Sequence, residues 1–336
     1  MRYALSSGSV QGGLRIATFL FIVILTSFIS NNANAAVANN GTLFYGDTAA
    51  TTGTLRFRPL TNPDTFSAEI NGPAGAASLA AFTAAKNSPT RDEVMIGQIK
   101  VNGTLDVSSC VGGCDAAADA AARFQKTGLT SAMTCDATSG SCWRPFDIAY
   151  ESLSGNAMVA FGLNATANTL QYCAWNGTAW SPASCATPSA FVLDAANCGT
   201  ASSGALRWVR LIPRGEKGKG VRTNEILMVA EDENSDVFAA IWNGTSWGNC
   251  AMITQTSSTI NNQNFDGAWE YSTGDAVVVW AEGTVASATL YSYKKWTRET
   301  AAWDSAGAAL PDLSVATNIG NWVRMAGAEI SGNDNI

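Results

Sequence analysis

Short apolar runs separated by turn residues dominate the chain from residue 146 onward. FDIAYES from Phe146 alternates apolar and polar positions, AMVAFGL from Ala157 is continuously apolar, and TLQYCAW from Thr169 alternates again. Ser154-Gly-Asn and Asn176-Gly separate or follow these runs and favour tight turns. The pattern predicts four antiparallel β-strands, the last of them after the Asn-Gly turn.

The same punctuation returns along the chain. FDIAYESLSGNAMVAFGLN from Phe146 resembles FDGAWEYSTGDAVVVWAEG from Phe265, and WVRLIPRG from Trp208 opens like WVRMAGAE from Trp322. Successive units therefore start roughly 60 residues apart, and alternate units are the most similar. A more divergent unit is expected around TRDEVMIGQIKVNGTLDV, residues 90–107.

A four-stranded unit of this length, repeated in tandem, is typical of a β-propeller blade. We therefore predict an all-β fold of tandem four-stranded blades. Blades are expected to start near residues 146, 206, 265 and 321, the last one truncated, with one or more eroded blades within 41–145. AAADAAARF, residues 116–124, is the one internal stretch with helical periodicity.

The C-terminal SGNDNI ends where the other units begin their second strand. An unfinished blade leaves a sheet edge unpaired. The chain is therefore expected to be a fragment of a longer protein or to close its ring with another chain.

The N-terminus predicts export. Arg2 and Arg15 precede an uncharged apolar run, residues 16–29, and Ala33-Asn-Ala has the form of a leader-peptidase site. This run falls short of the roughly 20 residues that a membrane-spanning helix needs. We interpret residues 1–35 as a cleaved signal peptide and 36–336 as a mature chain that is secreted or held at the cell surface, without membrane insertion. An uncleaved signal anchor is the alternative.

Composition narrows the classes of function. The chain is 46% hydrophobic and 14% charged, which indicates a packed globular fold. It has 20 basic and 27 acidic residues, and loss of the two arginines of the leader brings the net charge from −7 to −9. This charge argues against nucleic acid as a partner. The chain has no histidine, so we predict no histidine-based zinc site, no Ser-His-Asp machinery, no metal and no cofactor.

Eight cysteines in an exported chain predict disulfides rather than metal thiolates. Eight cysteines allow 105 pairings, which the sequence alone cannot resolve. The closest neighbours in sequence suggest local links: Cys110 with Cys114, Cys135 with Cys142, and Cys173 with Cys185.

Paired tryptophans flank the turns of the repeat, as in WNGTAW, residues 175–180. A two-residue turn at Asn-Gly puts Trp175 opposite Thr178 and Cys173 opposite Trp180, with both indoles on one face. These indoles either bury against the next blade or stack on sugars at the rim of the propeller. The candidate ligand-binding residues are Trp175, Trp180, Trp242, Trp247, Trp296 and Trp303.

Charges of opposite sign alternate in the first strands of successive units. The residues are Asp147, Arg210, Asp266 and Arg324. Since the first strand of a propeller blade is innermost, these side chains are expected around the central axis. They either form a ring of inter-blade ion pairs that helps to set blade order, or each faces channel water on its own.

The WNGTxW hairpins at 175–180 and 242–247 resemble the Asp-box turns of sialidase-type propellers, with Asn in place of Asp, and the W-x-G-x-x-W hairpins of propeller lectins. More broadly, residues 146–336 look like the repeats of secreted bacterial or archaeal cell-surface β-propeller proteins. We predict a non-catalytic extracellular or cell-surface binding or adhesion module with an unknown protein or glycan as partner. The first alternative is a carbohydrate-binding lectin, and the resemblance then implies sugar sites between blades; a sialidase-like glycosidase is the second.

Overall fold

A computed structural model describes most of the chain, and nearly all of its regular structure is β-strand. The described residues are 42–46, 54–62, 65–72, 80–111, 119–129, 143–200, 202, 204–215, 221–258, 261–283, 290–310 and 322–327. The expected signal peptide and the SGNDNI stretch lie outside these residues. No helix within them is long and apolar enough to cross a membrane.

Within these described residues, five antiparallel sheets follow one another. The first sheet contains β1 (Thr42–Gly46), β2 (Leu55–Asn62), β3 (Thr65–Phe66) and β4 (Ile70–Asn71). The second contains β5 (Ala80–Asn87), β6 (Glu93–Lys100), β7 (Leu105–Val111) and β8 (Asp119–Lys126). The third contains β9 (Phe146–Tyr150), β10 (Ala157–Leu163), β11 (Thr166–Trp175), β12 (Trp180–Ser181) and β13 (Ser189–Val192).

The last two sheets repeat this plan. The fourth contains β14 (Leu206–Pro213), β15 (Ile226–Asp232), β16 (Val237–Trp242) and β17 (Trp247–Thr254). The fifth contains β18 (Phe265–Trp269), β19 (Ala276–Ala281), β20 (Tyr291–Thr297), β21 (Ala302–Trp303) and β22 (Ala308–Ala309). From the second sheet onward, the first four strands of each sheet pair in chain order, and β13 and β22 add to the third strand.

The first strands of the sheets surround a common axis. β9 contacts both β5 and β14, and β14 contacts β18. Phe82 of the second sheet also reaches Trp208 of the fourth, with ring centroids 6.0 Å apart, so the third sheet does not separate them. Four-stranded sheets arranged radially with their first strands innermost form a β-propeller, and the predicted fold class is confirmed.

In the blades that have a neighbouring blade on each side, the second strand is buried on both faces. All seven residues of β15, ILMVAED, are buried. Ile226 and Met228 belong to the apolar cluster shared with the third sheet. Leu227 and Val229 belong to the cluster shared with the fifth. A strand covered on both sides requires a continuous apolar run, which is why these stretches do not alternate.

A buried apolar cluster fills each of the four contacts between successive sheets. The contact of the first sheet with the second is small, with Leu55 and Phe57 against Ile96. The other three clusters are larger and take residues from both partner sheets. Full burial of one large apolar side chain contributes roughly 1.5–3 kcal/mol. Blade-to-blade packing is therefore the main source of stability in this fold.

Residues 322–327 lie against the fifth sheet as β14 lies against the third. The backbone N–H of Leu211 donates to Oδ2 of Asp147 over 3.0 Å. In the same way, the N–H of Met325 donates to Oδ2 of Asp266 over 3.1 Å. The two similar WVR sequences, residues 208–210 and 322–324, thus occupy equivalent positions beside the axis.

The stretch AAADAAARF folds differently from its predicted periodicity. Its described part, from residue 119, belongs to β8, where Ala122 and Phe124 are buried and Ala121 and Arg123 are exposed. This alternation has the period of a strand. Cross-strand pairing with β7 decides the conformation here, and the helical propensity of alanine does not.

Two disulfides hold the third and fourth blades. Cys173 and Cys185 are linked within the third blade, which confirms that predicted local pair. Cys198, at the end of the short helix α1 (Ala195–Cys198), is linked to Cys250 of β17 in the next sheet. Cys110 is disulfide-bonded as well, while Cys114, Cys135 and Cys142 lie outside the described residues.

Replacement of both Cys198 and Cys250 by alanine is expected to lower the free energy of unfolding by about 4 kcal/mol, because the link joins residues 52 apart and restricts the unfolded chain. Urea unfolding of the oxidised proteins measures this loss. In reducing buffer the difference between variant and wild type should shrink to about 1 kcal/mol or less. An undiminished difference there would contradict a stabilising role for the covalent link.

Candidate functional site

The paired tryptophans are direct cross-strand neighbours. Trp175 lies opposite Trp180, and Trp242 lies opposite Trp247. The predicted register, with Trp175 opposite Thr178, is therefore wrong. The hairpin has a four-residue loop, in which Asn176 N donates to Ala179 O over 3.2 Å, and not a two-residue turn.

The asparagine side chain of the loop explains this longer connection. Oδ1 of Asn176 accepts hydrogen bonds from the backbone N–H of Thr178 and Ala179, at 2.9 and 2.8 Å, and from the Thr178 hydroxyl. Asn243 makes the equivalent three contacts in the next blade. Gly177 has a φ of 99°, a conformation that glycine adopts without strain. The Asn-Gly-Thr sequence is thus a side-chain-stabilised loop.

Each tryptophan pair packs on the preceding blade. The indole of Trp175 donates to Oε2 of Glu93 over 3.1 Å, and that of Trp242 donates to Oε1 of Glu151 over 2.7 Å. In the last described pair, Trp303 donates to the backbone oxygen of Asn249 over 2.6 Å. Each acceptor belongs to the preceding sheet, so these bonds fix neighbouring blades relative to one another.

This packing covers most of the indole surface. Among the six candidate tryptophans, five are between 0 and 7% exposed and Trp303 is half-buried. The five buried residues are Trp175, Trp180, Trp242, Trp247 and Trp296. Sugar stacking on these rings stays a prediction, and it requires a ring face that a ligand can reach.

Three of the four alternating charges form a continuous chain of ion pairs beside the axis. Nη1 of Arg210 lies 3.2 Å from Oδ2 of Asp147, and Nε of the same guanidinium lies 3.1 Å from Oδ1 of Asp266. Both carboxylates are almost fully buried, at 1 and 0% exposed. One arginine thus links the first strands of the third, fourth and fifth blades.

The surroundings of these ion pairs favour the charged forms of Asp147 and Arg210. Burial raises the pKa of Asp147, but Arg144, Arg210, Lys86 and the N–H of Leu211 outweigh it, and the pKa is lowered overall. For Arg210, burial lowers the pKa and the two aspartates more than restore it. Asp147 and Arg210 stay ionised because each has an opposite charge in contact.

Arg324 does not extend this chain. Its Nη1 donates a hydrogen bond to the backbone oxygen of Val323, and its guanidinium lies 5.6 Å from the ring centre of Trp322. Among the described residues it makes no ion pair with a carboxylate. Arg324 therefore lies near the axis without the direct carboxylate contact that Arg210 has.

A cavity of about 280 Å³ lies where the C-terminal ends of the inner strands meet. Lys86 of β5, residues 210–213 of β14, residues 267–269 of β18, and residues 325–327 line it. Three blades and the C-terminal segment therefore contribute to a single site.

Charged and aromatic groups converge on this cavity. The guanidinium of Arg214 lies 6.0 Å from the ring centre of Trp269 and pairs with Glu225 over 2.5 Å. Glu270 accepts a 2.7 Å hydrogen bond from Thr273. Tyr271 is half-buried at the edge. Trp269 is only 8% exposed, so Tyr271 is the ring that a small ligand can reach beside these hydrogen-bonding groups.

None of the cavity residues except Arg210 was among the predicted site residues. Trp269 and Glu270 do belong to the Phe-Asp-x-Ala-aromatic-Glu pattern that recurs at residues 146–151 and 265–270. This recurrence is the one feature of the sequence that could have pointed to them. Lys86 carries no such signal, because it joins the site only when the second and fourth blades come together around the axis. Within the described residues, no group of three or more Cys, Asp or Glu side chains could hold a metal ion.

A second electrostatic feature lies at the far end of β15. Glu231 is fully buried, and Oε1 accepts hydrogen bonds from the Ser257 hydroxyl and, over 3.4 Å, from the amide of Asn264. Burial and, to a smaller extent, the nearby Asp232 raise the pKa of Glu231 to about 8 despite these two bonds. Glu231 is thus protonated in the folded protein at neutral pH.

No family model matches the sequence, and no curated protein matches it. Among solved structures, the chain is similar to a fucose-specific lectin from Aleuria aurantia, at 13% identity and a TM-score of 0.41 over 80% of this chain and 76% of that one. A second structure of the Aleuria aurantia lectin, described as a six-bladed β-propeller, gives 10% identity and a TM-score of 0.36 over 83 and 77%. A mutant NanB sialidase from Streptococcus pneumoniae gives 7% identity and a TM-score of 0.45 over 81% of this chain and 59% of that one.

Arg210→Met is expected to lower the free energy of unfolding by about 3–5 kcal/mol, because it leaves Asp147 and Asp266 buried without their shared partner. Arg298→Met, which removes an exposed arginine 3.3 Å from Glu225, is the matched control and should cost about 1 kcal/mol or less. Denaturant unfolding at pH 7 compares the two. Similar losses in both variants would contradict a special role for the axial pair.

Glu231→Gln is expected to stabilise the protein at pH 8 but not at pH 4.5. Between its ordinary pKa of 4.5 and the folded value of about 8, Glu231 is ionised in the unfolded chain and protonated in the folded one, so the wild type loses stability as the pH rises through this range. Glutamine keeps the hydrogen bonds and removes the titration. Thermal unfolding from pH 4.5 to 8 tests this, with Glu299→Gln at an exposed turn as a control that should follow the wild-type profile.

Proposed function

We propose that this chain is a non-catalytic extracellular binding module that holds a carbohydrate in the axial cavity. The observation that carries the proposal is the cavity lining, in which the half-buried Tyr271 and the buried Trp269 lie beside Lys86, Arg214 and Glu270. Sugars combine an apolar face of C–H groups with a rim of hydroxyls. Aromatic rings next to charged hydrogen-bonding groups suit both parts.

The size of the cavity favours a single small ligand. Small-molecule sites usually have volumes of roughly 300–1,000 Å³. At about 280 Å³ the cavity is close to the lower limit, which suits one or two sugar units and not a long chain. The exposed Val221 lies on the lining and marks the side from which a ligand would enter.

The carboxylates support binding without hydrolysis. Glycoside hydrolysis generally uses two carboxyl groups that flank the bond to be cleaved. Among the described residues that line the cavity, Glu270 is the one carboxylate, and Lys295 lies 3.8 Å from it. Asp147 and Asp266 are not among the lining residues, and both pair with Arg210.

The disulfides agree with an extracellular location. Structural disulfides persist in oxidising compartments and are rare in the cytosol of most organisms. The Cys198–Cys250 link joins two blades and the Cys173–Cys185 link lies within one. Secretion through the predicted leader is part of this proposal.

Binding of the purified protein to a glycan array tests the proposal, followed by calorimetry with the best sugar. Tyr271→Ala removes a half-buried ring at the edge of the cavity and is expected to weaken binding at least tenfold, while Tyr293→Ala, a half-buried tyrosine of β20 outside the cavity, should leave it unchanged. Lys86→Ala should also weaken binding.

Other outcomes would redirect or overturn the proposal. Loss of binding in Trp303→Ala with Tyr271→Ala unaffected would move the site to the tryptophan hairpins. Turnover of a fluorogenic glycoside would favour a glycosidase. Failure to bind any glycan on a broad array would leave protein adhesion as the better account.

A further inference from the structure

The opposite end of the axis from the cavity carries a separate cluster of side chains. The cavity is lined by late residues of the inner strands, such as Lys86 in β5, whereas Phe82 and Trp208 lie early in their strands. The ring of Trp208 lies 6.0 Å from that of Phe82 and 6.1 Å from that of Trp322. Trp322 is 54% exposed, so this aromatic cluster reaches the protein surface.

Two arginines lie close to these aromatic rings. Arg144 precedes β9 and is bridged to Trp208 through the backbone, and Arg324 places its guanidinium 5.6 Å from the ring centre of Trp322. In the described part of the protein, Nε and Nη2 of Arg144 are buried without a hydrogen-bond acceptor, and Oδ1 of Asp147 is buried without a donor. The carboxylate oxygen nearest to Nη2, Oδ2 of Asp147, is 3.6 Å away and already accepts from Arg210 and from a backbone N–H.

Positive charge exceeds negative charge along the axis between this end and the cavity, whose lining includes Arg210. Arg144, Arg210 and Arg324 share two carboxylates, Asp147 and Asp266, and both carboxylates contact Arg210 directly. Burial lowers the pKa of Arg324, and the neighbouring charges of Arg210 and Arg144 lower it further, against the weaker attraction of the two aspartates. Three guanidinium groups beside two carboxylates leave a net positive charge, which favours the binding of an anion.

We infer that this end of the axis binds an oxyanion, a carboxylate or a sulfate group, at Arg144 and Arg324 beside the exposed indole of Trp322. The planar donors of arginine match two oxygens of such a group. The bound anion would supply the missing negative charge. The site is distinct from the axial cavity and does not depend on the proposed carbohydrate function there.

The anion has two possible sources, a free inorganic ion or the acidic group of a sugar. Trp322 distinguishes them, because an indole face can stack on a sugar ring but adds little to the binding of inorganic sulfate. The structure therefore allows one experiment with two arms.

Thermal unfolding of the full chain should be followed while sodium sulfate or sodium glucuronate is increased at constant ionic strength, with sodium chloride as the balancing salt and glucose as the neutral probe. A saturable rise in unfolding temperature with sulfate or glucuronate, and none with glucose, is expected, because a ligand that binds the folded state stabilises it.

Arg324→Gln should weaken that binding at least tenfold, and Arg298→Gln, at an exposed turn of the fifth sheet, should not change it. Arg144→Gln is expected to act in the same direction, and if that variant fails to fold, Arg324→Gln still tests the site. Without added anion, Arg324→Gln should unfold at no lower temperature than the wild type, because it removes a repelled charge.

Trp322→Ala decides the source. Weaker glucuronate binding with unchanged sulfate binding assigns the site to an acidic sugar, and equal binding of both assigns it to the free oxyanion. Equal effects of glucose and glucuronate, a response that only follows ionic strength, or undiminished binding in Arg324→Gln would overturn the inference.

Discussion

The structure depends on the burial of both faces of each sheet that lies between two other sheets. A single four-stranded sheet covers neither of its faces, so a blade is stable only between other blades. β15 shows the consequence most directly, since side chains on one face contact the third sheet and those on the other contact the fifth. The apolar runs, the paired tryptophans and the axial ion pairs all serve this side-by-side packing.

The polar contacts decide which arrangement of apolar faces is adopted. Hydrophobic contact is not directional, and it would tolerate a shift of one blade along the next. The indole bonds from Trp175 to Glu93 and from Trp242 to Glu151 each have one geometry, and so does the bridge that Arg210 makes between two aspartates. Buried polar groups of this kind are costly when left without partners, which penalises every other register.

Much of the architecture is predictable from the sequence because propeller blades repeat local patterns. Asn-Gly turns and short apolar runs predict the strands of the third and fifth blades. The register of the hairpins could not be predicted from these patterns. The Asn-Gly dipeptide alone favours a two-residue turn, but the side chain of Asn176 stabilises a four-residue loop. The Cys198–Cys250 link joins residues 52 apart, and only the packing of α1 on β17 brings them together. The cavity was missed for the same reason, as Lys86 and Trp269 share no sequence context.

The alternation of acidic and basic residues beside the axis limits how a chain of this kind can lengthen during evolution. Arg210 has a carboxylate on each side, so a duplicate of its blade inserted next to it would set two arginines against each other in a buried position. Copying two consecutive blades together keeps every neighbour opposite in sign. Growth by pairs of blades would make alternate units the most similar, as they are in this sequence.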